Sequence, residues 1–362
     1  MIYLNTKGYN MKTITVLELK PGMELAEDIT GSNGAVVYAK NTKVDERMVD
    51  RIKRHGLMCV NIMEPSDYAT THHEKLYFNE HFQRFCKVYN DNLIKYKGIF
   101  ISYLQTKVSI FPDDLMAIYE DCASCIKNEG ELLDFLYNMV ANEDELTYTQ
   151  SFNAALLAGA FANWLKFSPE EKKIMILCGF YYDIGKWSLP NDILWKPGKL
   201  TEEEFALVKK HPVIGYNIVK VDMNLNEHVK NAVIMHHEKY DGSGYPYHMR
   251  GDRIDKYARY MAIVDTYIAM ASPRSFRNAF TPLQILGNFE KNIDKYDVEI
   301  LLPLMAKIAN TQIGSKVVLS DESEWEVIMI NNTNYSRPVL RSEMGEILDL
   351  QSKPELEIKR LT

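Results

Sequence analysis

The chain has 362 residues, 46% hydrophobic and 25% charged. That is the balance of a globular protein, and at about 150 residues per domain it predicts two or three domains and excludes a fibrous or wholly disordered chain. Its net charge of −7, from 42 Lys and Arg against 49 Asp and Glu, leaves no global basic field for gripping a nucleic-acid polymer, while a local basic pocket for a small anion stays open.

No run of about 18 apolar residues marks a membrane-spanning helix. Met1 to Asn10 lacks the apolar core of a secretory signal, and Met11, just before a better-organised segment, reads as an alternative start. The five cysteines (Cys59, Cys86, Cys122, Cys125, Cys178) are odd in number and irregularly spaced, the usage of a reducing, cytoplasmic compartment. Cys122 and Cys125 have CxxC spacing without a second pair to complete a zinc site, so they read as helix-core thiols.

In chain order, residues 11–65 read as a small β-containing module. Pro21-Gly22 and Asn33-Gly34 are turn dipeptides, Ala35 to Tyr38 is a strand candidate, and Asp45 to His55 has helical spacing that ends at Gly56. Residues 66–135 read as a helical connector with polar faces. They lack an independent core pattern, so they are expected to pack on another domain or a second subunit, and a homodimer is an expectation. Residues 136–288 show long amphipathic helices between Gly/Pro loops; Lys172 to Tyr182 is apolar enough for a central core helix. Residues 289–362 read as a helix followed by a small β-rich unit, with Ser315–Leu319, Trp325–Ile330 and Pro338–Arg341 as its β pieces. The fold class is therefore mainly α, a helical bundle flanked by small β-containing modules.

The densest chemistry lies in the helical middle. Tyr182-Asp183-Ile184-Gly185-Lys186 is followed by Lys196-Pro197-Gly198-Lys199-Leu200 and His211-Pro212-Val213-Ile214-Gly215. Next come His236-His237-Glu238, the loop Asp241 to Pro246, and Asp265. Imidazole and carboxylate suit borderline divalent metals such as Fe, Mn and Zn, and such side chains from separate helices can converge inside a bundle. Lys186 is a compact cation suited to a phosphate. Gly242 and Gly244 permit close backbone approach, and Tyr245 is available to stack on a ligand. Arg250 and Arg253, just beyond, read equally as ligand contacts or as a solvated loop. Lys196 and Lys199 read as parts of a structural turn.

This ordered series, from about Thr147 to Pro273, resembles the HD-GYP branch of the HD phosphohydrolases. Its hallmark runs His-Asp-x-Gly-Lys, Lys-Pro-Gly-Lys-Leu, His-Pro-x-x-Gly, His-His-Glu-x-x-Asp-Gly-x-Gly-Tyr-Pro and a late Asp. The resemblance implies an HD-type helical bundle that binds two or three metal ions and hydrolyses cyclic di-GMP, a bacterial second messenger.

Two positions depart from that pattern. Gln150 stands where the family has its first His, and Tyr182 where it has the His of His-Asp; Leu146 stands where some members add a metal-binding Glu. By resemblance, one metal position keeps only Asp183 and Asp265, whereas the other keeps Asp183, His211, His236 and His237. The implied cofactor is about one divalent ion per chain (Fe, Mn or Zn), with Asp183 and Lys186 as the catalytic remnant. The implied ligand contacts are Lys186, Gly244, Tyr245, Arg250 and Arg253. The function implied is cyclic di-GMP binding by a signalling receptor or scaffold, with other signalling proteins as partners and hydrolysis weakened or absent. A working metal-dependent phosphodiesterase and a purely structural interaction module are the alternatives.

Overall fold

The computed structural model describes residues 9–15, 19–30, 36–54, 59–65, 72, 76, 79–139, 146–194, 196, 198–272 and 279–362. Asn33-Gly34, His55-Gly56 and Pro197 lie outside the described residues. The chain divides into two units, residues 1–86 and 87–362.

In the first unit, strands β1 (Tyr9–Thr15), β5 (Cys59–Pro65) and β2 (Glu24–Leu25) form an antiparallel sheet in the order β1-β5-β2. Met11 lies inside β1, opposite Met63. β3 (Ile29–Thr30) and β4 (Val36–Tyr38) make a second, two-stranded piece. Helix α1 (Glu46–Arg54) begins where the Asp45 carboxylate accepts from the Met48 amide at 2.7 Å, a side-chain cap for a donor the helix leaves unpaired. Val49 and Ile52 fall on one face of α1 and join Ile14, Leu19, Leu25, Val44, Val60 and Ile62 in the core of this unit.

The second unit is a helical bundle built around two helices, α5 (Leu146–Trp164) and α6 (Pro169–Tyr181). α6 starts with a capping box, in which Ser168 and Glu171 satisfy each other's backbone amides and Pro169 takes the first turn. Nearly every residue from Ile174 to Tyr181, and from Phe152 to Ala162, is buried. The uniform burial explains why neither helix carries a polar stripe. The pair packs closely because a Cβ on Gly179 would stand 2.4 Å from Ala155 Cα. Only glycine permits that approach, and it fixes the end of α6, where Asp183 follows.

Residues 87–135 lie within this same unit. In α2 (Glu80–Thr106), the Tyr89 hydroxyl donates to Asn153 Oδ1 at 2.6 Å and the Tyr96 hydroxyl to Phe180 O at 2.8 Å. Tyr96 and Phe100 also pack ring-to-ring against Phe180, Tyr181 and Trp187. The aromatic side of this segment thus finds its partner on the central helices of the bundle. Cys122 and Cys125, in and just after α3 (Pro112–Ala123), are buried free thiols.

The remaining bundle helices include α9 (His211–Val219), α10 (Glu227–Met235), α11 (Lys256–Ala271) and α13 (Val298–Asn310). The chain ends in a five-stranded antiparallel sheet ordered β10-β6-β7-β8-β9, with β6 Lys316–Leu319, β7 Glu324–Met329, β8 Val339–Arg341, β9 Ile347–Asp349 and β10 Ile358–Leu361. The fold is mainly α, with small β units toward both ends. Among the described residues no helix is long and apolar enough to cross a membrane.

Candidate metal centre

The end of α6 delivers the first residue of the site. Tyr182 caps the helix, Asp183 follows, and the chain tightens into a 3-10 turn over Ile184–Ser188. This turn lies directly against the start of α9: a Cβ on Gly185 would stand 2.0 Å from His211 O and 2.6 Å from Gly215 N. Gly185 and Gly215 therefore let two backbones touch, and the contact carries His211 to Asp183. Their role is to position the site, and the signal for it was their place inside the two motifs.

Asp183 is fully buried. Its Oδ2 accepts from Lys186 Nζ at 2.6 Å, while Oδ1 has no hydrogen-bond partner. Burial works against its ionisation, but the Lys186 ammonium overrides this and holds the carboxyl well below the ordinary carboxylate range. Facing Oδ1 are His211 Nε2 at 3.1 Å and His236 Nε2 at 3.5 Å, themselves 3.1 Å apart.

The other nitrogen of each ring fixes its tautomer. His211 Nδ1 lies 2.7 Å from Val208 O, and His236 Nδ1 lies 3.0 Å from Val233 O. A carbonyl only accepts, so each Nδ1 carries a hydrogen and each Nε2 is left to offer its lone pair to a metal ion beside Asp183 Oδ1. Burial also depresses the pKa of His211, which keeps the ring neutral. Two ring nitrogens and a carboxylate oxygen thus converge, an arrangement that a cation satisfies.

His237 completes the set. One ligand atom from each of Asp183, His211, His236 and His237 lies within 4.8 Å of the others. Burial, followed by the neighbouring His236 and His211, keeps the pKa of His237 well below its ordinary value. Three imidazoles and a carboxylate fit a borderline divalent ion such as Fe, Mn or Zn, with the backbone carbonyls orienting two of the rings. Asp265, on α11, stands outside this four-atom group, with Oδ2 3.6 Å from His237 Nδ1.

The two departing positions flank the centre. Tyr182 is buried, with its ring edge-on to His236 at 5.0 Å between centroids. Burial, then the charges of Asp183 and Asp265, push its hydroxyl well above the ordinary tyrosine range, so it stays a neutral phenol. Gln150 is 6% exposed, and its Nε2 is buried without a partner.

A cleft of about 530 Å³ opens beside the centre, lined by Gln150, Lys186, Lys199 and Phe205 among others. Lys196 also lines it, but both Glu204 carboxylate oxygens accept from its Nζ at 2.7 Å. Phe205 and Glu204 belong to α8 (Glu202–Val208). Thr147 lines the cleft one turn before Gln150 on α5.

The remaining sequence-predicted contacts lie around the loop after His237. Tyr245 stacks on the His237 ring, with centroids 4.6 Å apart and planes 26° from parallel. Beside Gly244, the space a Cβ would need is filled by the chain's own backbone, with Lys239 N at 2.3 Å and His237 O at 2.4 Å. Arg250 braces the loop: its Nε donates to Asp241 O at 2.7 Å, and its stem packs where a Cβ on Gly242 would sit. Arg253 is exposed in the 3-10 turn Gly251–Arg253. Glu238 is 1% exposed and accepts from the Tyr247 and Met249 amides at 2.7 and 3.0 Å, tying this loop to the pair of histidines. Sequence reasoning gave Glu238 no role of its own; a charged residue directly after two candidate ligands was the available signal.

Residues 134–300 match the HD domain family. Over 156 residues the chain is 36% identical to the cyclic di-GMP phosphodiesterase response regulator RpfG of Xanthomonas campestris pv. campestris, covering 43% of this chain and 41% of that protein. It is 33% identical over 156 residues to the 3'3'-cGAMP-specific phosphodiesterase 2 of Vibrio cholerae, covering 43% of this chain and 30% of that one. The chain thus spans less than half the length of these curated relatives. Among solved structures it is similar to Bd1817, a HDG"Y"P protein from Bdellovibrio bacteriovorus, at 14% identity and a TM-score of 0.46, covering 82% of this chain and 98% of that one. Residues 134–300 thus form an HD domain, similar in sequence to those of the cyclic-dinucleotide phosphodiesterases named above.

Proposed function

We propose that this protein binds a cyclic dinucleotide, cyclic di-GMP in the first instance, in the cleft beside Asp183, and acts as a signalling receptor or scaffold with weakened or absent hydrolysis. One observation carries the reading. A four-donor centre and an open cleft lie side by side, while the two flanking positions hold a neutral phenol and an amide in place of imidazoles.

A divalent ion bound at Asp183, His211, His236 and His237 would polarise a phosphoryl oxygen and acidify a bound water. The chain's own groups account for the rest. Lys186, already donating to Asp183 Oδ2, has further hydrogens for a phosphodiester oxygen at the cleft. Lys199 adds a cation to the lining, and Phe205, 47% exposed, offers a ring on which a base can stack. In the two-metal form of this chemistry a second ion stabilises the leaving oxygen. Neither Tyr182 nor Gln150 is a good ligand for that ion, so binding outlasts rapid turnover. Cys86, Cys122, Cys125 and Cys178 are free thiols, in keeping with a cytoplasmic protein.

The alternative is an active phosphodiesterase, favoured by the activities for which the curated relatives are named. Calorimetry with cyclic di-GMP and with 3'3'-cGAMP, each with and without Fe, Mn or Zn, is paired with an anaerobic assay of linear-product release. Binding with little or no product supports the receptor reading. Rapid metal-dependent product release replaces it with the enzyme, and the absence of any binding overturns both in favour of a structural module.

A further inference from the structure

We infer that Gln150 is a ligand-binding residue whose amide donates a hydrogen bond to a phosphodiester oxygen of the bound cyclic dinucleotide, in concert with Lys186. The inference rests on the cyclic-dinucleotide reading above and goes beyond it, because it gives a new task to a position otherwise read as a lost metal ligand.

Gln150 is 6% exposed, yet its Nε2 has no hydrogen-bond partner. A buried amide left unpaired is costly, and native proteins seldom tolerate it without a use. The residue lines the cleft, as does Thr147 one turn away on the same face of α5. Lys186 is in the same lining, its Nζ anchored by Asp183 Oδ2. An amide with two hydrogens and an anchored ammonium in one cleft match an acceptor that carries a negative charge and more than one oxygen. A phosphodiester is that group, and no atom of the chain fills the role among the described residues. A neutral donor holds such an oxygen without activating it, which separates recognition from cleavage.

The test compares wild type, Gln150→Leu and Gln150→Met. It uses calorimetry with cyclic di-GMP on the full chain loaded with metal, metal content by mass spectrometry, and thermal melting of the metal-free protein. Both variants keep the volume and remove the donor. The expected result is at least about tenfold weaker binding, the effect of losing a hydrogen bond to a charged group. Metal content should be unchanged, and the metal-free melting temperature no lower than wild type, because an unpaired buried amide has been removed. Wild-type affinity in both variants overturns the assignment while leaving the cyclic-dinucleotide reading intact. A wild type that binds no cyclic dinucleotide overturns that reading and this one with it. A lowered melting temperature with unchanged affinity makes Gln150 a packing residue and likewise overturns the assignment.

Discussion

His211 and His236 bring their Nε2 atoms to 3.1 Å, while each ring commits its Nδ1 hydrogen to a backbone carbonyl. With Asp183 Oδ1 facing both, the three atoms form one side of a site for a positive charge. The bundle enforces the contact through Gly185 and Gly215 on one side and the end of α10 on the other. A cation site is therefore built into the backbone packing as well as into the side chains.

The protein purified without chelator should carry about one divalent ion per chain. His237→Ala should empty the site or reduce its occupancy steeply. Elemental analysis of both proteins checks this. Two ions per chain at full occupancy would contradict the broken-pair reading of Gln150 and Tyr182.

The metal-free protein should lose stability on mild acidification. His211 and His237 have folded-state pKa values below the ordinary 6.5 because burial disfavours their charged forms. The unfolded chain therefore takes up protons first. Their contribution is fully present above pH 6.5 and is lost as the pH falls through the folded-state values. Denaturant titrations of metal-free protein between pH 8 and pH 5 (about the range in which unperturbed His titrates) should show this slope, and His237→Gln should flatten it.

Gly185→Ala should damage the centre without touching a ligand. Its Cβ would meet His211 O at 2.0 Å and Gly215 N at 2.6 Å, both backbone atoms that cannot step aside alone. Overpacking of this kind costs about 1–3 kcal/mol. It should also move His211 away from Asp183, so metal affinity falls together with the melting temperature. Unaltered metal affinity would show that the turn and α9 can separate independently of the site.

Lys186→Met should destabilise the metal-free protein by about 3–5 kcal/mol, because it strands a carboxylate that is fully buried. Bound metal should recover much of that loss by supplying the missing positive charge, whereas cyclic di-GMP affinity should stay low. Thermal melts of the variant with and without metal, followed by calorimetry, separate the two effects.

Restoring the absent imidazoles should restore the second ion. Gln150→His with Tyr182→His should take up a further metal and hydrolyse cyclic di-GMP at least about tenfold faster than wild type, a barrier drop of about 1.4 kcal/mol. Neither single change should restore the second ion or the rate, because one added ligand leaves the position incomplete. Metal content and linear-product release for all four proteins, measured anaerobically, provide the check. A wild type that already equals the double variant in both would make Tyr182 no lesion at all.

The sequence by itself determined the bundle and the identity of the chemistry-bearing groups. The apolar run of Lys172 to Tyr182 and the ordered motifs from Asp183 to Asp265 are local patterns, and local patterns are readable from one chain. Only the tertiary structure decided which of those groups meet. It brought Asp183, His211, His236 and His237 within 4.8 Å and left Asp265 3.6 Å from His237. It turned Tyr245 onto His237, spent the freedom of Gly244 on the chain's own backbone, and used Arg250 to brace Asp241. It also seated Tyr89, Tyr96 and Phe100 on the central helices, where the sequence showed only a helical connector without a core of its own. The reason is physical. Residue type and spacing fix what a side chain can donate, accept or bury, but distances between separate helices come from packing, here from the close approaches that Gly179, Gly185 and Gly215 allow.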